Sequence, residues 1–119
     1  MIVNLSNHPS DVWDESQKEA AHIYGEIKDI PFPMISAQST ETEIKRLAED
    51  YAEEVKKYKP EAAMVQGEFT LTYSLVNKLK ELGINCISAC SERMTTTEIL
   101  EDGSCKKSSV FKFVKFRKY

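Results

Sequence analysis

The chain has 119 residues, 41% apolar and 29% charged, which gives room for one domain with a modest core and is too balanced a composition for disorder. Sixteen Lys and Arg against 19 Asp and Glu leave a formal charge of −3. That argues against a protein that grips long duplex nucleic acid, though a short or cyclic nucleotide could still be held on backbone amides and one or two cations.

Ile2-Val3-Asn4-Leu5 reads as a short strand that runs into a loop, Ser6 to Ser10. Asp14 with Gln17 is a capping-box pattern, and the helix behind it passes through Ala20, Ala21 and Tyr24 to a stop at Gly25. Glu26 to Pro33 is an irregular strand, placed at an edge or at its own end because Pro31 and Pro33 cannot donate to a ladder. Thr40 and Glu43 form a second capping box. Ile44, Leu47, Tyr51, Val55 and Tyr58 follow at helical spacing under a solvated charged face, until Pro60. Ala62-Ala63-Met64-Val65 is an apolar run suited to a strand covered on both faces. A third helix turns Leu75, Val76, Leu79 and Leu82 inward, with Thr70 and Thr72 as its candidate caps, and closes on Gly83. The strand Ile84 to Ala89 follows. Thr95 to Leu100 and Val110 to Phe116 then read as two strands around an Asp-Gly turn, with Phe111, Phe113 and Lys115 on one face and Val110, Lys112, Val114 and Phe116 on the other.

This β-α-β-α-β-α-β order predicts one three-layer α/β domain. Its parallel sheet is expected in the order 2-1-3-4, with the C-terminal hairpin extending the strand-4 edge antiparallel. No stretch is long and apolar enough for a membrane span, and no basic flank precedes an apolar block, so a cytoplasmic protein is expected. Cys86, Cys90 and Cys105 have neither C-x-x-C spacing nor nearby histidines, which predicts small buried thiols and no metal site or cofactor.

In a parallel sheet of this order, ligands bind beyond the carboxyl ends of the strands, where the strand order reverses. Three polar segments are delivered there: Ser6-Asn7-His8, Gln66-Gly67-Glu68 and Ser91-Glu92-Arg93. Each has two readings. Ser6 and Asn7 are turn formers or donors to phosphate and ribose. His8 is a loop histidine bound to a carbonyl, or a general acid or base. Gly67 allows a tight turn or the close approach of a ligand. Glu68 suits a ribose hydroxyl or a base role better than a phosphate. Arg93 offers its planar fork to a phosphate or to an internal carboxylate. Trp13 and Tyr73 could stack on a base or pack in the core. Neither G-x-G-x-x-G, G-x-x-x-x-G-K nor G-x-S-x-G occurs, so any catalysis would rest on positioning and general acid–base help.

Asn4-Leu5-Ser6-Asn7-His8-Pro9, Val65-Gln66-Gly67-Glu68-Phe69-Thr70 and Ala89-Cys90-Ser91-Glu92-Arg93, with the tail Phe116-Arg117-Lys118-Tyr119, resemble the small Rossmann-like CRISPR-associated proteins of the CARF-like and ring-nuclease-like group. The resemblance implies an antiviral-defence homodimer that binds cyclic oligoadenylate over the carboxyl ends of the strands. In some members it also implies metal-independent cleavage of that ring. On this chain, Ser6, Asn7, Gln66, Gly67, Thr70 and Ser91 would hold the ligand. A ribose 2′-hydroxyl would attack the adjacent phosphorus, with His8 passing protons, Glu68 orienting or deprotonating the hydroxyl and Arg93 stabilising the phosphorane charge. The pattern departs from that expectation in having no lysine in these loops. Two other readings are a non-catalytic buffer or sensor of the same nucleotide, and a protein-interaction module that uses the hairpin edge.

Overall fold

A computed structural model covers residues 1–119. Its elements are β1 (Ile2–Ser6), α1 (Glu15–His22), β2 (Ile27–Pro31), α2 (Glu41–Lys57), β3 (Ala62–Gln66), α3 (Phe69–Glu81), β4 (Cys86–Ile99) and β5 (Cys105–Lys118). The five strands form one sheet in the order β2-β1-β3-β4-β5. β1 runs parallel to β2 and to β3, β3 runs parallel to β4, and β5 closes the sheet antiparallel to β4. This is the expected α/β architecture, and β2, with Pro31 as its last residue, is an edge strand. No helix is long and apolar enough to cross a membrane.

Alternation along the buried central strands divides the core into two layers. Val3, Leu5, Ala63, Val65 and Cys86 face α2 and α3, and with Ile44, Ala48, Val55, Leu75 and Leu79 they build the larger core. Ile2, Ala62, Met64 and Ile87 face α1 and pack with Trp13 and Ala21. Asp14 caps α1 by accepting from the Gln17 amide at 2.9 Å, and Thr40 caps α2 by accepting from Glu43 at 3.1 Å.

Two features depart from the sequence reading. The segment Ser91-Glu92-Arg93 is not a loop after strand 4, because β4 runs on without a break and its 14 residues pair with the 14 of β5. Beyond Ser91 and Phe113 this ribbon leaves the body, and its residues are exposed on both faces. The second departure is the register. Cys90 pairs with Lys115 and Ser91 with Phe113, so Val114 is the extra residue of a bulge. The bulge moves Phe116 onto the face of Phe113, and the two rings meet with centroids 4.9 Å apart. The expected separation of Phe113 and Phe116 onto opposite faces is thereby corrected. Cys86 and Cys90 share a face, and all three thiols are free. The expectation of buried thiols is corrected: only Cys86 is buried, Cys90 is half-buried, and Cys105, on the arm that no core covers, is exposed. Burial pushes the Cys86 thiol up to about 11.

Candidate functional site

The parallel ladder between β3 and β4 ends after Ala63–Cys86 and Met64–Ile87. Past that point side chains replace the backbone pairing. The Ala89 amide donates to Oε1 of Gln66 at 2.7 Å, and the Tyr119 hydroxyl donates to the Val65 carbonyl. A buried strand must still satisfy its polar groups where it parts from its neighbour, and Gln66 and Tyr119 do this while the strands diverge.

A cleft of about 510 Å³ opens above this divergence. Met64, Gln66, Ala89 and Ser91 form its floor, Trp13, Asp14 and Gln17 of the α1 side one wall, and Phe111 and Phe113 the other. His8, exposed on the loop after β1, also lines it. The cleft is thus at the carboxyl ends of the strands, but it centres on β3, β4 and β5 rather than on the β1–β3 reversal. The Trp13 ring lies edge-on to Phe116 at 6.4 Å between centroids, so the aromatic wall is braced from behind.

The polarity of the cleft is set by few groups. Neither Lys nor Arg lines it, and Asp14 is its one carboxylate. Its Oδ1 accepts from the Gln17 amide and from Ser16, and its Oδ2 accepts from the Phe113 amide at 3.3 Å. These bonds, the Gln17 amide first, hold its carboxyl below the usual range, so it is ionised at neutral pH. The carboxamide nitrogen of Gln66 and the hydroxyl of Ser91 make no hydrogen bond within the protein. The His8 imidazole makes none either, although its carbonyl accepts from Asn4 Nδ2 at 2.8 Å and Trp13 Nε1 at 3.0 Å. Those two bonds fix the loop and leave the ring free over the cleft.

The other anticipated residues are placed elsewhere. Ser6 donates to Asn4 Oδ1 at 2.7 Å and accepts from the His8 amide at 3.1 Å, and Asn4 Nδ2 donates to Asp29 at 2.8 Å. Ser6 and Asn7 line a separate hollow of about 180 Å³ with Asp29 and Phe32, between the ends of β1 and β2. Gly67 lies against the Phe32 ring, where a Cβ would come within 2.5 Å of ring carbons. Its lack of a side chain is needed for packing. Glu68 is the N-cap of α3, in place of the expected Thr70 or Thr72. Its carboxylate accepts from the Thr70 and Leu71 amides and from the Thr70 hydroxyl, which holds it below the usual range. The Thr70 and Leu71 amides at the start of α3 are therefore occupied by the chain's own carboxylate and are not open to an anionic ligand.

Arg93 pairs with Phe111 in the β4–β5 register, two residues beyond Ser91, which pairs with Phe113. Directly opposed and alternate residues share a face, so Arg93 stands on the cleft-side face at the outer rim. It is exposed, and no carboxylate lies within ion-pair distance of it. The structure thus gathers His8, Gln66 and Ser91, sets Arg93 at the rim, and separates Ser6, Asn7, Gly67, Glu68 and Thr70 from them. The cleft also contains Asp14, Gln17, Phe111 and Phe113, which the sequence presents only as a cap pair and strand residues. The spacing of the three phenylalanines was the available signal, and the bulge obscured it.

No curated protein and no solved structure matches this chain. A family model does match residues 1–117, which takes in the α/β body and both strands of the ribbon. The chain therefore belongs to the Uncharacterized protein MJ1673 family.

Proposed function

We propose that the cleft binds a nucleotide with its base inside and its phosphates outside, and that it does so without cutting the ligand. The polarity of the cleft carries this reading: aromatic walls and an ionised carboxylate within, and the unpaired Arg93 at the rim. A flat purine would stack on the exposed Phe111 ring within the cleft, across from the wall that Trp13 completes, since aromatic side chains stack on bases with little regard to sequence. Asp14 would accept from an exocyclic amine and the Gln66 carboxamide would donate to a ring nitrogen, whereas a phosphate inside would be repelled by Asp14. The ligand named by the resemblance is cyclic oligoadenylate, and a cytoplasmic homodimer of a CRISPR-associated defence system would double the rim arginine. Binding is favoured over cleavage because Glu68, the expected base, is committed to capping α3.

The test is titration of the purified protein with AMP and with cyclic tri-, tetra- and hexa-adenylate, followed by Trp13 fluorescence. The products are resolved by chromatography with and without EDTA. The expected result is saturable quenching by AMP or a ring that is recovered intact. Phe111→Ala, at an exposed position, should weaken binding by about tenfold, the lower part of the range for a lost base stack. Linear fragments would replace the binding protein with a nuclease, with His8 and Arg93 as its remaining candidates. Quenching by none of the four would overturn the nucleotide reading.

A further inference from the structure

The net charge of −3 conceals a division within the chain. Residues 92–112, the part of the ribbon beyond Ser91 and Phe113, carry four Lys and Arg against four Asp and Glu, whereas the rest of the chain carries twelve against fifteen. The ribbon is therefore a neutral arm on an acidic body. Its charges are sorted again by face. Glu92 pairs with Lys112 and Glu98 with Lys106, so both acidic residues of the two strands fall on the face away from the cleft, each opposite a lysine. The cleft-side face beyond Ser91 holds Arg93, Thr95, Thr97, Lys107, Ser109 and Phe111, all exposed, and no carboxylate. Glu101 and Asp102 of the turn close its far end.

We infer that this face is a binding track for the sugar–phosphate backbone of a linear single-stranded nucleic acid, whose terminal base enters the cleft; this inference rests on the base-inside reading above. Cations and hydroxyls are the side chains that contact phosphates, and Phe111, 74% exposed, offers a stacking surface where cleft and track meet. From Arg93 to Ile99 the track runs about 20 Å, with same-face side chains recurring about every 6.8 Å. An acidic polypeptide would satisfy the lysines of both faces equally and has no use for the exposed ring beside the cleft.

The experiment is fluorescence anisotropy of the full chain with labelled oligoadenylate of about ten nucleotides, within the site sizes of single-strand binders, alongside AMP as the probe of the cleft alone. Between 50 and 200 mM salt the logarithm of the decamer affinity should fall linearly, losing about 0.7 from the slope for each phosphate contact removed. The double variant Arg93→Ala, Lys107→Ala should weaken the decamer and flatten that slope by about 1.4, from two lost contacts. AMP, whose phosphate meets Arg93 at the rim and does not reach Lys107, should lose one contact only and should bind Lys107→Ala as it binds the parent. Lys106→Ala, Lys112→Ala on the opposite face should leave the slope nearer that of the parent. Equal losses from the two double variants, or equal competition by polyglutamate, would overturn the track in favour of unspecific attraction or an acidic protein partner. AMP binding without decamer binding would overturn the track and leave the cleft intact. Decamer binding that depends on Arg93 and Lys107 without any AMP binding would support the track and remove the base pocket.

Discussion

A Cβ on Gly67 would stand 2.5 Å from the Phe32 ring, and Phe32 is itself buried, so the ring has little space into which it could retreat. Gly67→Ala should lower stability by about 1–3 kcal/mol, the usual cost of forcing extra carbon into a packed site, as measured by urea denaturation. Phe32→Leu in the same chain should recover part of that loss, because the two positions share one volume. An unchanged midpoint for the single variant would show that the ring can move aside. Glu68 makes a second prediction at this scale. Hydrogen bonds hold its carboxyl below the usual range in the folded chain. Its stabilising contribution is therefore complete above the ordinary carboxylate range near pH 4 and is lost as pH falls through the lowered folded value. Glu68→Gln should give a shallower loss of stability on the acid side when urea midpoints are compared from about pH 6 to about pH 3. A parallel pair of curves would mean that the cap contributes no pH dependence.

The helices were legible because their signals are local. Asp14 and Thr40 cap where the sequence places them, and the stripe from Ile44 to Val55 is buried as its spacing requires. The cap of α3 was not legible, since Ser, Thr, Asp and Asn outrank Glu at that position and Thr70 was the better candidate by type. The middle of β4 was hidden for another reason. From Ser91 to Ile99 neither face is buried, so no two-residue alternation in hydrophobicity marks the strand. Its conformation comes from pairing with β5. Part of the site was visible as polar residues after strands, namely His8, Gln66 and Ser91. Its aromatic half depends on a register shift that no local pattern announces. Gln66 also carries a test at this level. Gln66→Ala leaves the Ala89 amide without its acceptor where β3 and β4 part, at a cost of about 1–3 kcal/mol for an unsatisfied group. Hydrogen exchange at Ala89 should quicken in that variant while exchange at Ala63, deeper in the same ladder, stays slow. Equal acceleration at both would mean that the whole pairing, and not its end, depends on Gln66.

At the scale of the molecule the arm dominates. The radius of gyration is 17.4 Å and the longest extent 57 Å, against about 13.5 Å expected for a compact chain of this length. Neither core layer includes any residue between Met94 and Val110. Replacing that segment with a two-residue Asn-Gly turn should leave the midpoint of thermal unfolding nearly unchanged, within the about 0.5 kcal/mol typical of surface changes. Small-angle scattering should show the radius of gyration fall toward the compact value. A large loss of stability would show that the arm supports the body. The sorting of charge by face along the arm also explains why composition alone gave an incomplete guide to partners. A summed charge of −3 does not reveal that one face of the two strands beyond Ser91 carries Arg93 and Lys107 and no carboxylate.

The bulge at Val114 has a consequence for how β5 can change in length. Val114 has no partner, and Phe113 and Lys115 on either side of it keep theirs, Ser91 and Cys90. A deletion of Val114 would leave every cross-strand partner where it is. A deletion nearer the tip, at Ser109 for example, would throw the rest of the outer strand out of frame and turn each of its side chains to the other face. The bulge is the position where this strand can lose a residue, or has gained one, without its two faces exchanging roles.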